Sequence, residues 1–324
     1  MQSNLIRALA LIAGTLAVTS ATAQPYPSKQ VRIVVGFVPG GGSDFIARLV
    51  SAKLTEVFGR PVIVENRPGA GGAIATELAA RASADGYTLL LGSAGPFGII
   101  PALSPKTPYD ALKDFDPITL VVIMPFVTTV HPSLPVKNIK ELIALARARP
   151  GQLNFGSPGH GTTNHLSGEM LKLMAKIDLT HVPYKGVAAA MADVMAGQIQ
   201  ILSGDLTTLI PQVKSGRLRA IAVTSAKRST FAPEIPTIAE SGVPGYDTSG
   251  WFGVVAPAAT PRAVIERLNS EIVRGITTPE SRKRLGTLGG DVIANTTAEF
   301  STFIRADHAK WAKVVAATGL KEKP

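Results

Sequence analysis

From residue 26 onward the chain alternates short runs of β-branched residues with stretches of helical periodicity. Residues 31–37 form an apolar run of strand length, broken by Arg32 and Gly36. Gly40, Gly41 and Gly42 follow, and Ser43 and Asp44 then stand where a helix is capped. Ile46, Leu49, Val50, Leu54 and Val57 recur at the spacing that lines one helical face. Residues 61–65 read as the next strand. The glycines of 69–72 lead into an alanine-rich helix near 74–81, and 87–92 read as a third strand. Strand, helix and strand joined by short turns imply parallel β-α-β units with right-handed crossovers.

A second set follows the proline-rich stretch 101–135. Helices are expected at 138–149, 162–176, 188–196, 261–274 and 298–317. Strands are expected at 153–156, 179–184, 198–203, 217–224 and 251–255. Strand, glycine-rich loop and capped helix occur twice, at 31–57 and again at 153–174. The simplest architecture is therefore two α/β lobes, each presenting such a loop. Ribbons near 118–130 and 219–225 are the candidate crossings between lobes. The first lobe is then discontinuous, 24–125 with 229–324, and the second is 126–228.

Residues 1–23 read as a secretory signal rather than part of the fold. Arg7 supplies a positive start, 8–18 are apolar apart from Gly14 and Thr15, and Ala21-Thr22-Ala23 is a small-x-small cleavage site. The apolar stretch is too short for the roughly 20 residues a membrane span needs. The mature protein is expected to begin at Gln24 and to be periplasmic.

Composition removes several functional classes. The 324 residues include no cysteine, which excludes a disulfide framework, a thiolate metal site and a cysteine nucleophile. The net charge of +10 leaves nucleic acid, membrane surface and small anions open. The densest basic run, Ser281 to Arg284, lacks interleaved aromatics and reads as a solvated helix face or a docking patch. No nucleic-acid partner is expected.

The two loops carry the chemistry. Amides at a helix start lack intrahelical partners, and the helix dipole adds partial positive charge. A glycine-rich approach lets an anion reach that backbone without a lysine. Phe37-Val-Pro-Gly-Gly-Gly-Ser-Asp44 is one such loop, and Gly156-Ser-Pro-Gly-His-Gly-Thr-Thr163 the other. Ser157, Thr162 and Thr163 offer hydroxyl donors. Facing each other across a cleft, the loops suit a ligand with a carboxylate at each end. The plain alternative is that both are tight turns, with Ser43 and Thr162 as ordinary caps.

Enzyme patterns are missing. Phe45 and Asn164 stand where a dinucleotide loop has its third glycine, no P-loop occurs, and Ser93 and Ser157 lie in G-S-x-G rather than G-x-S-x-G. His160 and His165 are five apart, outside metal-helix spacing, so no metal site is expected. His165 reads as a packed or loop-bracing residue, while His131, His181 and His308 show no constellation. Tyr184 and Asp205 follow strands and are further candidates to meet a ligand. Tyr184 suits a lobe surface equally well, and Asp205 a helix cap.

An ordered series of motifs resembles the Bug-type extracytoplasmic solute receptors, the binding component of tripartite tricarboxylate transporters. The series comprises Tyr26-Pro27, the first loop with Ala47-Arg48, Val64-Glu-Asn-Arg-Pro-Gly-Ala-Gly-Gly72 and Asp85-Gly-Tyr-Thr88. It continues with Gly156 to Glu169, Val182-Pro-Tyr-Lys-Gly186, Pro236 to Gly242, Trp251 and Ala256-Pro257. The resemblance implies an α/β, two-lobed periplasmic binding protein fold with a hinged cleft, each lobe a mixed, mainly parallel sheet flanked by helices. It implies a non-enzymatic receptor for a small organic carboxylate, monomeric, without cofactor, serving membrane permease subunits. A sensor feeding a two-component system, or a periplasmic hydrolase, is the alternative. By position, the implied ligand residues are Phe37, Val38, Pro39, Gly40, Gly41, Gly42, Ser43 and Asp44 in the first loop. In the second they are Ser157, Pro158, Gly159, His160, Gly161, Thr162 and Thr163, with Tyr184 and Asp205 nearby. Pro158, His160 and the stretch 186–190 depart from the family pattern and bear on ligand identity.

Overall fold

A computed structural model describes residues 26–104 and 106–320. The signal segment and its cleavage after Ala23 therefore lie outside the described residues.

Strands β1 (Val31–Val35), β2 (Val62–Asn66) and β3 (Thr88–Ser93) are parallel, in the order β2-β1-β3. Helices α1 (Gly42–Phe58) and α2 (Ala73–Ala80) connect them. β3 pairs antiparallel with β9 (Ser249–Pro257), and β9 pairs with the first part of the long strand β4 (Phe115–Val130). A second parallel group, β6 (Thr180–Pro183), β5 (Asn154–Ser157) and β7 (Ile201–Asp205), carries α5 (Thr163–Ala175), α6 (Val187–Met195) and α7 (Leu206–Lys214). Helix α4 (Ile139–Ala148) leads into it, with Asn138 accepting the Glu141 N–H as its cap. The strands together make one curled sheet, β2-β1-β3-β9-β4-β7-β5-β6.

β4 joins the two halves. Residues 115–125 pair with β9, whereas Phe126–Val130 lie against β7 and β8 (Arg219–Val223). Most of its residues are buried, which fits its nearly unbroken apolar sequence. Thr224, just past β8, completes the junction. Its N–H donates to the Phe126 carbonyl (2.9 Å), and the Phe126 N–H donates to its hydroxyl (3.1 Å).

Each half is covered on both faces. Ile46, Leu49, Val50 and Leu54 of α1 share a core with α8 (Arg262–Ile276). Val57 was expected on that buried stripe but is 44% exposed, since it sits in the last turn before the Gly59 cap, past the packed face. Helix α10 (Thr297–Thr318) spans both halves. Phe300 and Ile304 pack beneath β3 and β9, while Trp311, Val314 and Val315 join the core of α4 and α5. Buried Asp307 accepts from Trp251 Nε1 (2.8 Å) and Trp311 Nε1 (3.2 Å). In the segment after β8, Ala232 and Ile235 pack with α6 and α7, and Ile238, Val243 and Tyr246 with α5. The sequence division at 228/229 assigned these residues to the other half. The elements α3 (Ile100–Leu103), α9 (Pro279–Gly286) and β10 (Asp291–Val292) complete the chain, and Arg282, Lys283 and Arg284 are exposed on α9 as expected.

Candidate functional site

Strand registry places the two glycine loops. Ser93, at the end of β3, lies opposite Phe252, and Ser249 at the start of β9 lies opposite Pro125. Asp205, at the end of β7, lies opposite Phe126. The second group therefore reaches β4 at Phe126 through the end of β7, whereas the first group is separated from β4 by β9, whose first residue meets β4 at Pro125. Open α/β sheets bind ligands at such strand ends.

The first loop leaves β1 at Gly36. This must be glycine, because an added Cβ would stand 2.7 Å from Gly72 Cα. Phe37 turns back against Phe252 and Gly72, while Val38, Pro39, Gly40, Gly41 and Gly42 are exposed. Helix α1 starts with Gly41 as N-cap, and no side chain caps it. Its first backbone bond runs from the Phe45 N–H to the Gly41 carbonyl, so the amides of Gly42, Ser43 and Asp44 have no intrahelical partner. Ser43 and Asp44, expected at the cap, are instead buried within the first turn. Asp44 holds the loop in shape. Its Oδ2 accepts from the Gly40 N–H (3.0 Å) and Arg48 Nε (2.9 Å), and its Oδ1 from Asn66 Nδ2 (3.0 Å). The Arg48 bond above all holds this carboxyl below its usual range despite burial.

The second loop is tied internally. The Ser157 hydroxyl donates to the Gly159 carbonyl (3.0 Å) and accepts from the Gly159 N–H (3.2 Å). The Thr162 hydroxyl donates to the same carbonyl (2.8 Å) and accepts from the His165 N–H, as the cap of α5. These two hydroxyls were expected to be available to a ligand. They are engaged because Gly159, at φ +141°, turns its carbonyl back into the loop. Pro158, Gly159, Gly161 and Thr163 are partly exposed, and His160 is exposed.

Behind this loop three histidines converge. The rings of His165 and His181 stack with centroids 3.8 Å apart, and His160 stands edge-on at 5.3 Å and 4.9 Å. Burial first, then the adjacent imidazoles, pushes His165 down to about 3, and burial and His160 push His181 down to about 4. His165 accepts the Gly161 N–H on Nδ1 (3.1 Å), which is the expected bracing role. His181 corrects the reading that it has no constellation. The parallel pairing of β5 and β6 sets it beside Phe155, and its Nε2 is 2.7 Å from Ser157 Oγ.

Tyr184 donates its hydroxyl to Asp193 (2.8 Å), and burial with that bond raises its pKa to about 12. Asp205 occupies the N-cap position of α7 without capping it, and burial raises its carboxyl above the usual range. Three residues were not singled out as site residues. Asn66 lay unremarked inside a quoted motif, and Ser93 and Ser249 have buried, unpartnered hydroxyls near the crossing. Cavities of about 280 Å³ by His131 and Arg149, and of about 530 Å³ by Ser104 and His308, contain none of the expected ligand residues.

A family model described as the tripartite tricarboxylate transporter family receptor matches residues 46–320. Three solved structures are similar. Rpa4515 of R. palustris, solved with adipate, is 35% identical with a TM-score of 0.78, covering 91% of this chain and 98% of that one. The periplasmic binding protein BugD is 34% identical at 0.75, covering 92% and 100%. MatC from Rhodopseudomonas palustris, with bound malate, is 30% identical at 0.74, covering 90% and 100%.

Proposed function

The chain belongs to the tripartite tricarboxylate transporter receptor family, and from that premise we propose that it is a periplasmic receptor that captures a small organic carboxylate for a tripartite transporter. One observation carries this reading. The α1 N-terminus is exposed, glycine-rich and without a side-chain cap, and it follows β1, which β3 and β9 connect to β4, while the second loop follows β5, which β7 connects to β4 from the other side. Free amides at a helix start, together with the dipole, favour a carboxylate there. Relatives solved with adipate and malate support the ligand class.

Within this proposal, Val38 to Ser43 receive one end of the ligand. Pro158, Gly159, His160, Gly161 and Thr163 receive the other, with Tyr184 and Asp205 alongside. Phe37, Asp44, Ser157 and Thr162 shape the loops from behind. The lobes divide at 125/126, where β4 changes partners, and the return falls near Thr248, because Ile238, Val243 and Tyr246 pack with α5. The receptor is a monomer, closes its lobes over the ligand and then engages membrane subunits. A receptor rather than a hydrolase is favoured by Ser157, whose hydroxyl is buried and donates to a carbonyl.

Isothermal calorimetry and thermal shift against mono-, di- and tricarboxylates test the reading. A stoichiometric acid that raises the melting temperature supports it. Absence of any response across the panel, with neutral sugars and amines as comparison, overturns it.

A further inference from the structure

We propose that His160, His165 and His181 form a binding site for a borderline divalent transition ion such as zinc. One ring nitrogen from each lies within 4.8 Å of the other two. Zinc–nitrogen bonds of about 2.0–2.1 Å set tetrahedral neighbours about 3.3 Å apart. His165 and His181 stack with their planes 25° apart, so their in-plane lone pairs do not converge on one point, and binding requires one of these rings to turn out of the stack as well as a swing of exposed His160.

His181 Nε2 and Ser157 Oγ are 2.7 Å apart, and the tautomer that binds an ion is the one with the proton on Nε2, donated to Ser157. His181 Nδ1 then carries the lone pair, and it is buried with no hydrogen-bond partner. A buried acceptor left unpaired is costly, and an ion there satisfies it. His165 presents its lone pair on Nδ1, where the Gly161 N–H now donates. Its opposite nitrogen, Nε2, is 3.9 Å from Glu169 Oε1, beyond hydrogen-bond distance, and that oxygen accepts from Lys172 Nζ at 3.0 Å.

An all-imidazole donor set suits zinc, nickel or copper and disfavours magnesium and calcium. Three protein ligands leave a fourth position for water or an anionic oxygen. An ion taking the lone pair of His165 Nδ1 also displaces the Gly161 N–H, so its binding alters the second loop. This inference is independent of the carboxylate reading, because its probe is the metal alone.

The test is calorimetry of tag-free, chelator-treated protein with zinc chloride at neutral pH, with magnesium chloride as comparison. The expected result is a single zinc site per chain and no magnesium binding. His160→Ala, at an exposed position that leaves folding intact, is expected to weaken zinc by at least about tenfold. His131→Ala, outside the cluster, is expected to leave zinc binding unchanged. No stoichiometric zinc, or zinc binding unaltered in His160→Ala, overturns the proposal.

Discussion

Asn66 Nδ2 donates to Asp44 Oδ1 at 3.0 Å, tying the end of β2 to the first turn of α1. The same amide donates to the Phe37 carbonyl at 3.1 Å. The exposed stretch from Val38 to Gly42 is thus held at both ends by groups that face inward. Asn66→Asp replaces a donor with a second carboxylate beside Asp44, and like charges at that distance cannot both ionise freely. The variant is expected to lose at least about 1 kcal/mol of stability and to bind carboxylates more weakly. Thermal unfolding and calorimetry check this, and wild-type values in both would show that the brace does not shape the loop.

Gly41→Asp separates binding from folding. Gly41 has extended backbone, and an added Cβ would meet nothing nearer than the Val38 carbonyl at 3.8 Å. Aspartate is a good N-cap and differs from glycine there by only a few tenths of a kcal/mol. The melting temperature is therefore expected to hold or rise. The new carboxylate, however, takes up amides of the first turn and repels an incoming anion. A loss of about 100-fold in affinity, about 2.7 kcal/mol, is expected by calorimetry. Unchanged affinity removes the first loop from the site.

Thr162 and Thr163 are adjacent but act differently. Thr162 caps α5 and holds the Gly159 carbonyl, so Thr162→Ala is expected to cost about 1 kcal/mol of stability. Thr163→Ala leaves the cap in place. It is expected to weaken ligand binding with little change in melting temperature. Equal effects of the two substitutions on both measurements would contradict these roles.

The sequence pattern was sufficient for the strand-loop-helix units, because continuous apolar strands and 3.6-residue stripes are local signals. It placed β1 and α1 within two residues. Properties set by neighbours distant in the chain were not legible. The cluster of His160, His165 and His181 depends on β6 lying beside β5 in one register. The engagement of Ser157 and Thr162 depends on the direction of a single carbonyl in the loop. The role of Asn66 needs β2 to end beside the first loop. Residues 232–246 follow β8 in sequence, yet their apolar side chains fill cores of the second half, which no local pattern reveals.

Asp205 gives a pH signature. Burial raises its carboxyl in the folded state above the unfolded value of about 3.9. A raised acid is penalised when ionised, so it lowers stability above its folded pKa. That penalty shrinks as pH falls through the folded pKa and is gone below the unfolded pKa, where both states are protonated. Asp205→Asn is isosteric and removes the term. Its melting temperature is expected to exceed that of wild type at pH 7–8, with the gap closing by about pH 3. A constant gap across that range, or a negative one at neutral pH, would refute this account.

Thr224 tests the crossing itself. It is fully buried, and it bonds Phe126 in both directions while its carbonyl accepts the Thr248 N–H at 2.9 Å. Strand β4, the end of β8 and the approach to β9 are therefore joined at one residue. Thr224→Val keeps the shape but removes the hydroxyl, leaving the buried Phe126 N–H without an acceptor. The expected cost is about 1–3 kcal/mol, against less than about 0.5 kcal/mol for the exposed Thr302→Val. Phe126 also sits where β4 changes partners, so loosening it alters how the two halves move relative to each other. Ligand affinity should therefore change although no expected ligand residue is touched, and small-angle scattering should show a shifted compaction on ligand addition. A stability loss with unaltered affinity and compaction would confine Thr224 to a packing role and place the hinge elsewhere.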